Sequence, residues 1–321
     1  THWTAKATFV NNQNATGWAE LQLESNGIET DYLQAYSAGY IEGALTTDLI
    51  NLNWQNMHQQ AEVSTKTRDF ILDNEKWLRD QVAAHSDDAY WVNVGLVLAQ
   101  HDGMVAGYND HRGGLNELSA TDLMLVGMTV ELGDFANAAD PAARPNYDNM
   151  TNDELKTFIL KNTHCSAIIK VAADLTELYA SHNTWTDYVS MLRIFKTIRL
   201  PFQTKGVAEA KTVMFSGYPG TIAGIDDFYI TDQKLTVIET TNNVFNTSLF
   251  DVIKANNVVP YWIRVTVATR AATSAESWHT IFYRYNSGTY NNQWLTVDYK
   301  LFKPGQPLPV RLAASCGKRF L

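Results

Sequence analysis

Apolar residues recur along this chain with two different periods. Trp18, Leu21 and Leu23 form a short run opened by Gly17, which predicts a strand. From residue 31 to residue 99 the period turns helical. Tyr32, Tyr36, Tyr40 and Ile41 keep it first, and Phe70, Ile71, Trp77 and Leu78 continue it. Residues 90–108 and 121–135 predict further helices. Residues 133–152 hold Pro141, Pro145 and a cluster of Asn and Asp, the composition of an exposed linker. Residues 154–162 lead into Thr163-His164-Cys165, after which Ala167, Ile169 and Val171 alternate as one face of a strand. A second strand is expected at 175–180. Thr184 and Asp187 have capping-box spacing, and Tyr188, Met191, Leu192 and Phe195 follow at helical spacing. That pattern puts His182 and Trp185 at a strand-to-helix turn, beside the positive end of a helix. Residues 213–241 read as β structure, with a turn at Asp232-Gln233. Residues 248–285 read as helical with a break near Pro260, and a last strand is expected at 294–299 after the loop Asn286-Ser287-Gly288. Helices first, then strands, then helix and strand again predict an α+β fold with layered antiparallel sheet.

Composition narrows the setting. The chain has 321 residues, of which 45% are hydrophobic, enough for a sizeable core. A net charge of -9 and a pI near 5.3 give no electrostatic footprint for nucleic acid. The balance suits a soluble protein, including one in an acidic compartment. No apolar run approaches the roughly eighteen residues of a membrane helix, so no transmembrane segment is expected. Residues 90–99 are apolar but short, and Asn93 interrupts them. Sequons at Asn14, Asn149 and Asn246 point towards secretory passage and glycosylation, and a first residue Thr1 fits either a removed signal peptide or a sequence that starts within a longer chain. Two cysteines, Cys165 and Cys316, exclude a disulfide framework.

Candidate chemistry is sparse by motif. There is no phosphate loop, no zinc-protease His-Glu pair, no Cys-x-x-Cys and no Gly-x-Ser-x-Gly elbow. The eight histidines lack ligand-like spacing, so no metal or other cofactor is expected. On spacing alone Cys165 reads as a small buried hydrophobe. On the same grounds His182 reads as a polar turn residue, Trp185 as a core aromatic at a helix start, and Asp226-Asp227 as a solvated turn or helix cap.

A series of blocks changes those odds. Thr163-His164-Cys165-Ser166-Ala167-Ile168-Ile169-Lys170-Val171 resembles the processing site of the phospholipase B-like family of N-terminal nucleophile hydrolases. Ser181-His182-Asn183-Thr184-Trp185, Met191-Leu192-Arg193-Ile194 and Tyr218-Pro219-Gly220-Thr221-Ile222 follow in the family's order. So do Asp226-Asp227-Phe228-Tyr229-Ile230, Glu239-Thr240-Thr241-Asn242 and residues 286–294. Upstream, Thr16-Gly17-Trp18 and Gly39-Tyr40-Ile41-Glu42-Gly43 also fit.

The resemblance implies an αββα sandwich of two antiparallel sheets. It implies a precursor cut between His164 and Cys165, which makes Cys165 the nucleophile and the first residue of the larger chain. His182, Trp185 and Thr241 match positions that line its pocket and bind substrate. The implied parts are 1–164, mostly helical and ending in the linker, and 165–309, carrying the nucleophile. Residues 310–321 form a tail without counterpart. Family members continue for a long stretch that carries an active-site asparagine and arginine, so the fold is expected to be incomplete at its C-terminus. The implied activity is release of fatty acyl chains from glycerophospholipids in lysosomes or secretions, with a lipid or other acyl compound as partner. An amidase of the same fold and an inactive lysosomal binding protein are the alternatives.

Overall fold

The computed structural model describes residues 3–58, 63–162, 165–307 and 314–316. Two N-terminal strands, β1 (Ala5–Asn12) and β2 (Trp18–Ser25), form an antiparallel hairpin. The turn between them is the four-residue helix α1 (Gln13–Thr16), which ends at Gly17 with φ 80. β2 alternates as the sequence predicts, with Ala19, Leu21, Leu23 and Ser25 buried. β1 was not anticipated, because its outward residues Lys6 and Thr8 and its terminal asparagines dilute the alternation.

The helical period from residue 31 resolves into α2 (Asp31–Leu45), α3 (Thr47–His58), α4 (Thr65–Ala84) and α5 (Ala89–His111). The buried face of α2 is not its tyrosines but Ala35, Ala38, Gly39 and Gly43. A Cβ on Gly39 would lie 1.8 Å from the Gln100 carbonyl oxygen, and one on Gly103 would lie 2.0 Å from that of Tyr36. Gly43 and Gly107 repeat the arrangement one turn on, so α2 and α5 pack backbone against backbone. α5 is buried on nearly every side, from Tyr90 to Tyr108, and no helix among the described residues is long and apolar enough to cross a membrane.

Residues 121–135, read as one helix, are two: α6 (Ala120–Gly127) and α7 (Leu132–Ala139). The predicted linker therefore begins inside a helix, where Phe135 is fully buried. Its remainder is largely exposed and is followed by α8 (Asn152–Asn162).

β3 (Ser166–Val171) and β4 (Leu178–Asn183) make a separate two-stranded antiparallel sheet. After β4 the structure departs from the predicted helix. Tyr188–Ser190 form a single 3-10 turn, and β5 (Ile194–Arg199) is a strand. Ile194, Lys196 and Ile198 point inwards, and the buried Lys196 ammonium hides the alternation from a hydrophobicity pattern. It is tolerated because its Nζ donates to Glu42 Oε1 and to the Thr221 carbonyl, each at 2.7 Å. β6 (Thr212–Gly217), β7 (Phe228–Thr231), β8 (Leu235–Thr240), α9 (Tyr261–Ala271), α10 (Ala275–Tyr283) and β9 (Gln293–Asp298) follow the predicted order, and Pro260 caps α9. β10 (Ala314–Cys316) pairs with β9.

The large sheet runs β1-β2-β5-β6-β7-β8-β9-β10. It is mixed rather than wholly antiparallel, because β2 and β5 pair in parallel. A parallel pair requires a long crossover, and residues 26–193 supply it. α2 packs on β1 and β2, α9 on β7, and α10 on β9, while the β3–β4 hairpin leans on β8. β8 is accordingly buried from Leu235 to Glu239. The architecture is thus α+β, with one large mixed sheet and one small one.

Candidate active site

The β3–β4 hairpin sets the geometry. Cys165 immediately precedes β3, and in the register of the hairpin Ala167 stands opposite His182. His182 therefore lies within a strand and not at a helix N-terminus. Cys165 is a free, half-buried cysteine whose backbone sits in the left-handed region at φ 72. For a residue with a Cβ that conformation costs about 1 kcal/mol or more. Burial pushes its thiol up to about 12, Glu239 adds to the rise, and Asp227 and Asp226 contribute further, against an opposing hydrogen bond from the Trp185 backbone. The Trp185 indole N–H donates to Ser166 Oγ at 3.3 Å. The structure thus brings Cys165 and Trp185 together. His164 lies outside the described residues.

His182 is half-buried, and burial lowers its pKa. Its Nδ1 is 3.4 Å from Thr184 Oγ1, and its buried Nε2 makes no hydrogen bond. The Glu239 backbone faces the ring and favours the protonated form without reaching hydrogen-bond geometry. Neither ring nitrogen holds the thiol. Thr241 follows the end of β8, and its side chain faces the Glu239 carboxylate and favours its charged form.

Beside the hairpin opens a cavity of about 520 Å³. Its wall combines apolar groups such as Trp18, Trp185, Met191 and Phe228 with polar ones, His182, Arg193 and Asp226. The Arg193 guanidinium stacks 4.5 Å from the Trp18 ring centroid and donates to the Gly17 carbonyl at 3.1 Å. No carboxylate pairs with it among the described residues.

Under the thiol lies a buried carboxyl cluster. Asp226, expected in a solvated turn, is buried and accepts from the Ser216 and Tyr218 hydroxyls. Asp227 is fully buried, with the Tyr290 hydroxyl at 2.7 Å and that of Tyr229 at 3.1 Å. The same Tyr290 hydroxyl lies 3.0 Å from Glu239 Oε2. A phenol has one proton, so it donates to one carboxylate and must accept from the other. Asp227 and Glu239 therefore share a proton across Tyr290. Burial, with no cation on either group, raises both carboxyls well above their ordinary range.

Glu239 is the neighbour common to Cys165, His182 and Thr241, and spacing did not single it out, nor Tyr218 or Tyr290. All three lie inside the blocks that carried the resemblance, which was the signal available. Asn14, Asn149 and Asn246 are all exposed.

Comparison with known proteins follows the same lines. The sequence model described as Phospholipase B matches residues 5–313. Phospholipase B-like protein B of Dictyostelium discoideum is 41% identical over 307 residues, covering 94% of this chain and 53% of that protein. Phospholipase B-like protein C of the same organism is 39% identical over 308 residues, covering 94% and 54%. Phospholipase B-like protein A is 38% identical over 317 residues, covering 94% and 55%. The chain spans about half the length of these curated relatives.

Proposed function

Because this chain belongs to the phospholipase B family, we propose that it carries the nucleophile of an acyl hydrolase that releases fatty acyl chains from glycerophospholipids. Cys165 is that nucleophile once the His164–Cys165 peptide bond is cut. The observation that supports this most is the position of Cys165. It has a left-handed backbone, and its thiol meets the backbone of Trp185, which with His182 lines the cavity beside the hairpin although Cys165 itself does not.

In the uncut chain a thiol pushed up to about 12 is ionised in only about one molecule in 10⁵ at neutral pH. Cutting changes its surroundings. The thiol attacks the His164 carbonyl, the peptide becomes a thioester, and water releases the His164 carboxylate. Cys165 then owns an α-amine of pKa roughly 8. As a free base the amine takes the thiol proton, and as a cation it offsets the carboxylates behind the sulfur. The thiolate attacks the ester carbonyl, the glycerol oxygen leaves with a proton, and water hydrolyses the acyl-thioester to fatty acid. Trp18, Trp185, Met191 and Phe228 offer the acyl chain an apolar wall, and Arg193 offers a cation to the phosphodiester. An amide would be attacked in the same way. Residence in lysosomes or secretions belongs to this proposal, supported by the exposed sequon asparagines.

One observation favours a second reading. The uncut thiol is held neutral without a bonded base, which suits an inert chain that binds lipid. Intact mass and N-terminal sequencing separate the two. A new terminus at Cys165, with fatty acid released from phospholipid micelles, supports the hydrolase. A chain intact at 164–165 that binds lysophospholipid without releasing acid supports the binding protein.

A further inference from the structure

On the opposite face of the large sheet from the β3–β4 hairpin, between the sheet and α9, lies a second cavity that the proposed chemistry does not use. Its volume is about 30 Å³, and its wall includes Glu42, Gln100, Lys211, Thr269 and Arg270. That space admits one or two particles of about the size of a water molecule. Arg270 is 6% exposed and has no carboxylate partner among the described residues. Its Nη2 donates to the Gln100 side-chain oxygen, and its buried Nη1 donates to nothing.

The remaining wall is biased the same way. Lys211 Nζ is satisfied only by neutral carbonyls, those of Phe202 and Ala208, each at 2.7 Å. Thr269 Oγ1 accepts from the Trp278 indole at 3.1 Å, so its own proton is uncommitted. The carboxylate on the wall, Glu42, is neutralised by Lys196 at 2.7 Å, with both side chains almost wholly buried. Two cations therefore border this space with no anion of their own. A guanidinium left buried without a counter-charge is costly. A water molecule would satisfy the Nη1 hydrogen but not the charge.

We propose that this cavity is a binding site for a small monovalent anion of the halide class, chloride, held by Arg270 Nη1 and the Thr269 hydroxyl. The small volume favours a monatomic ion over sulfate or phosphate. The site is independent of the Cys165 chemistry, and its role is to complete the packing of α9 on the sheet.

The test is thermal unfolding of the 321-residue chain at fixed pH and ionic strength, with sodium chloride replaced stepwise by sodium gluconate. Chloride is expected to raise Tm in a saturable manner, by about 5 °C at a hundredfold excess over its dissociation constant. Bromide is expected to act like chloride. In Arg270→Met the two salts are expected to give superimposable curves. Equal Tm of the parent in chloride and gluconate overturns the proposal, as does a chloride effect that persists in Arg270→Met. Should that variant fail to fold, crystals of the parent soaked in bromide decide. An anomalous peak in contact with Arg270 Nη1 supports the site, and a cavity holding water alone overturns it.

Discussion

Raising the pH from 6.5 to 8.5 is expected to destabilise this protein, with Glu131 carrying a large share of the effect. Glu131 is fully buried. Its Oε2 accepts from Thr289 Oγ1 at 2.7 Å and from the Tyr261 backbone N–H at 3.2 Å, while Oε1 has no partner. Burial pushes the carboxyl up to about 8 from an ordinary 4.5. The sign follows from proton counting. Between those two values the folded chain holds a proton that the unfolded chain has released. Stability from this group is complete below about 4.5 and is lost as pH climbs through about 8. Each pH unit in that window is worth about 1.4 kcal/mol, so the part lost between pH 6.5 and about 8 is on the order of 2 kcal/mol. At roughly 2 °C per kcal/mol for a chain of this size, Tm falls by about 4 °C from this group.

Two other groups shape the acid side. Asp134, raised to about 6 by burial, acts with the same sign at lower pH. His101 acts against both, because burial lowers its pKa to about 4 and the folded chain resists a proton that the unfolded chain accepts below 6.5. His101 offsets part of the carboxyls' slope below pH 6.5, which leaves the alkaline slope as the diagnostic one. The assay is thermal melting of the parent and Glu131→Gln at pH 5, 6.5, 7.5 and 8.5 and constant ionic strength. Glutamine keeps an oxygen for Thr289 and Tyr261 and cannot ionise. Its curve is expected to fall less steeply above pH 6.5, not to become flat, because the Asp227–Glu239 pair contributes with the same sign. A Glu131→Gln curve parallel to that of the parent would refute the reasoning.

Gly103→Ala forces a methyl to within 2.0 Å of the Tyr36 carbonyl oxygen and is expected to cost about 3 kcal/mol by urea unfolding. Gly133→Ala meets nothing within 4 Å and is the near-neutral control. Tyr290→Phe removes the hydroxyl between Asp227 and Glu239, with an expected loss of about 1–3 kcal/mol and a steeper decline above pH 6.5 in melting curves. Cys165→Ala is expected to leave the 164–165 bond intact while Cys165→Ser cuts it slowly, followed as a time course by intact mass. Cleavage of the alanine variant at the parent rate would show that another protease does the cutting.

Much of the chain was legible because its signals are local. The strands at 166–171, 228–231 and 235–240 follow from alternation, and the helical spacing from 31 to 108 marked the helices there, although it did not give the buried face of α2. Cys165 and Trp185 were nominated by blocks of residue identity, and the structure brings the two into contact. The misread segment shows the limit of such signals. Tyr188, Met191, Leu192 and Phe195 keep a helical spacing, yet Ile194–Arg199 is a strand whose inward face includes a lysine. Lys196 can occupy that position only because Glu42, 154 residues earlier, supplies the counter-charge.

The sequence by itself determined which segments alternate, which residues resemble a processing site, and that the charge balance is acidic. Only the tertiary structure decided that α2 and α5 touch through glycines and that β2 joins β5 in parallel. It alone decided that Asp226, Asp227 and Glu239 are buried behind the Cys165 thiol and not solvated. The physical reason is the range of the forces involved. Backbone propensity and hydrophobic period act over a few residues and can be read along the chain. Desolvation of a carboxyl, sharing of a proton through Tyr290 and neutralisation of a buried lysine depend on groups that only folding brings within a few ångströms.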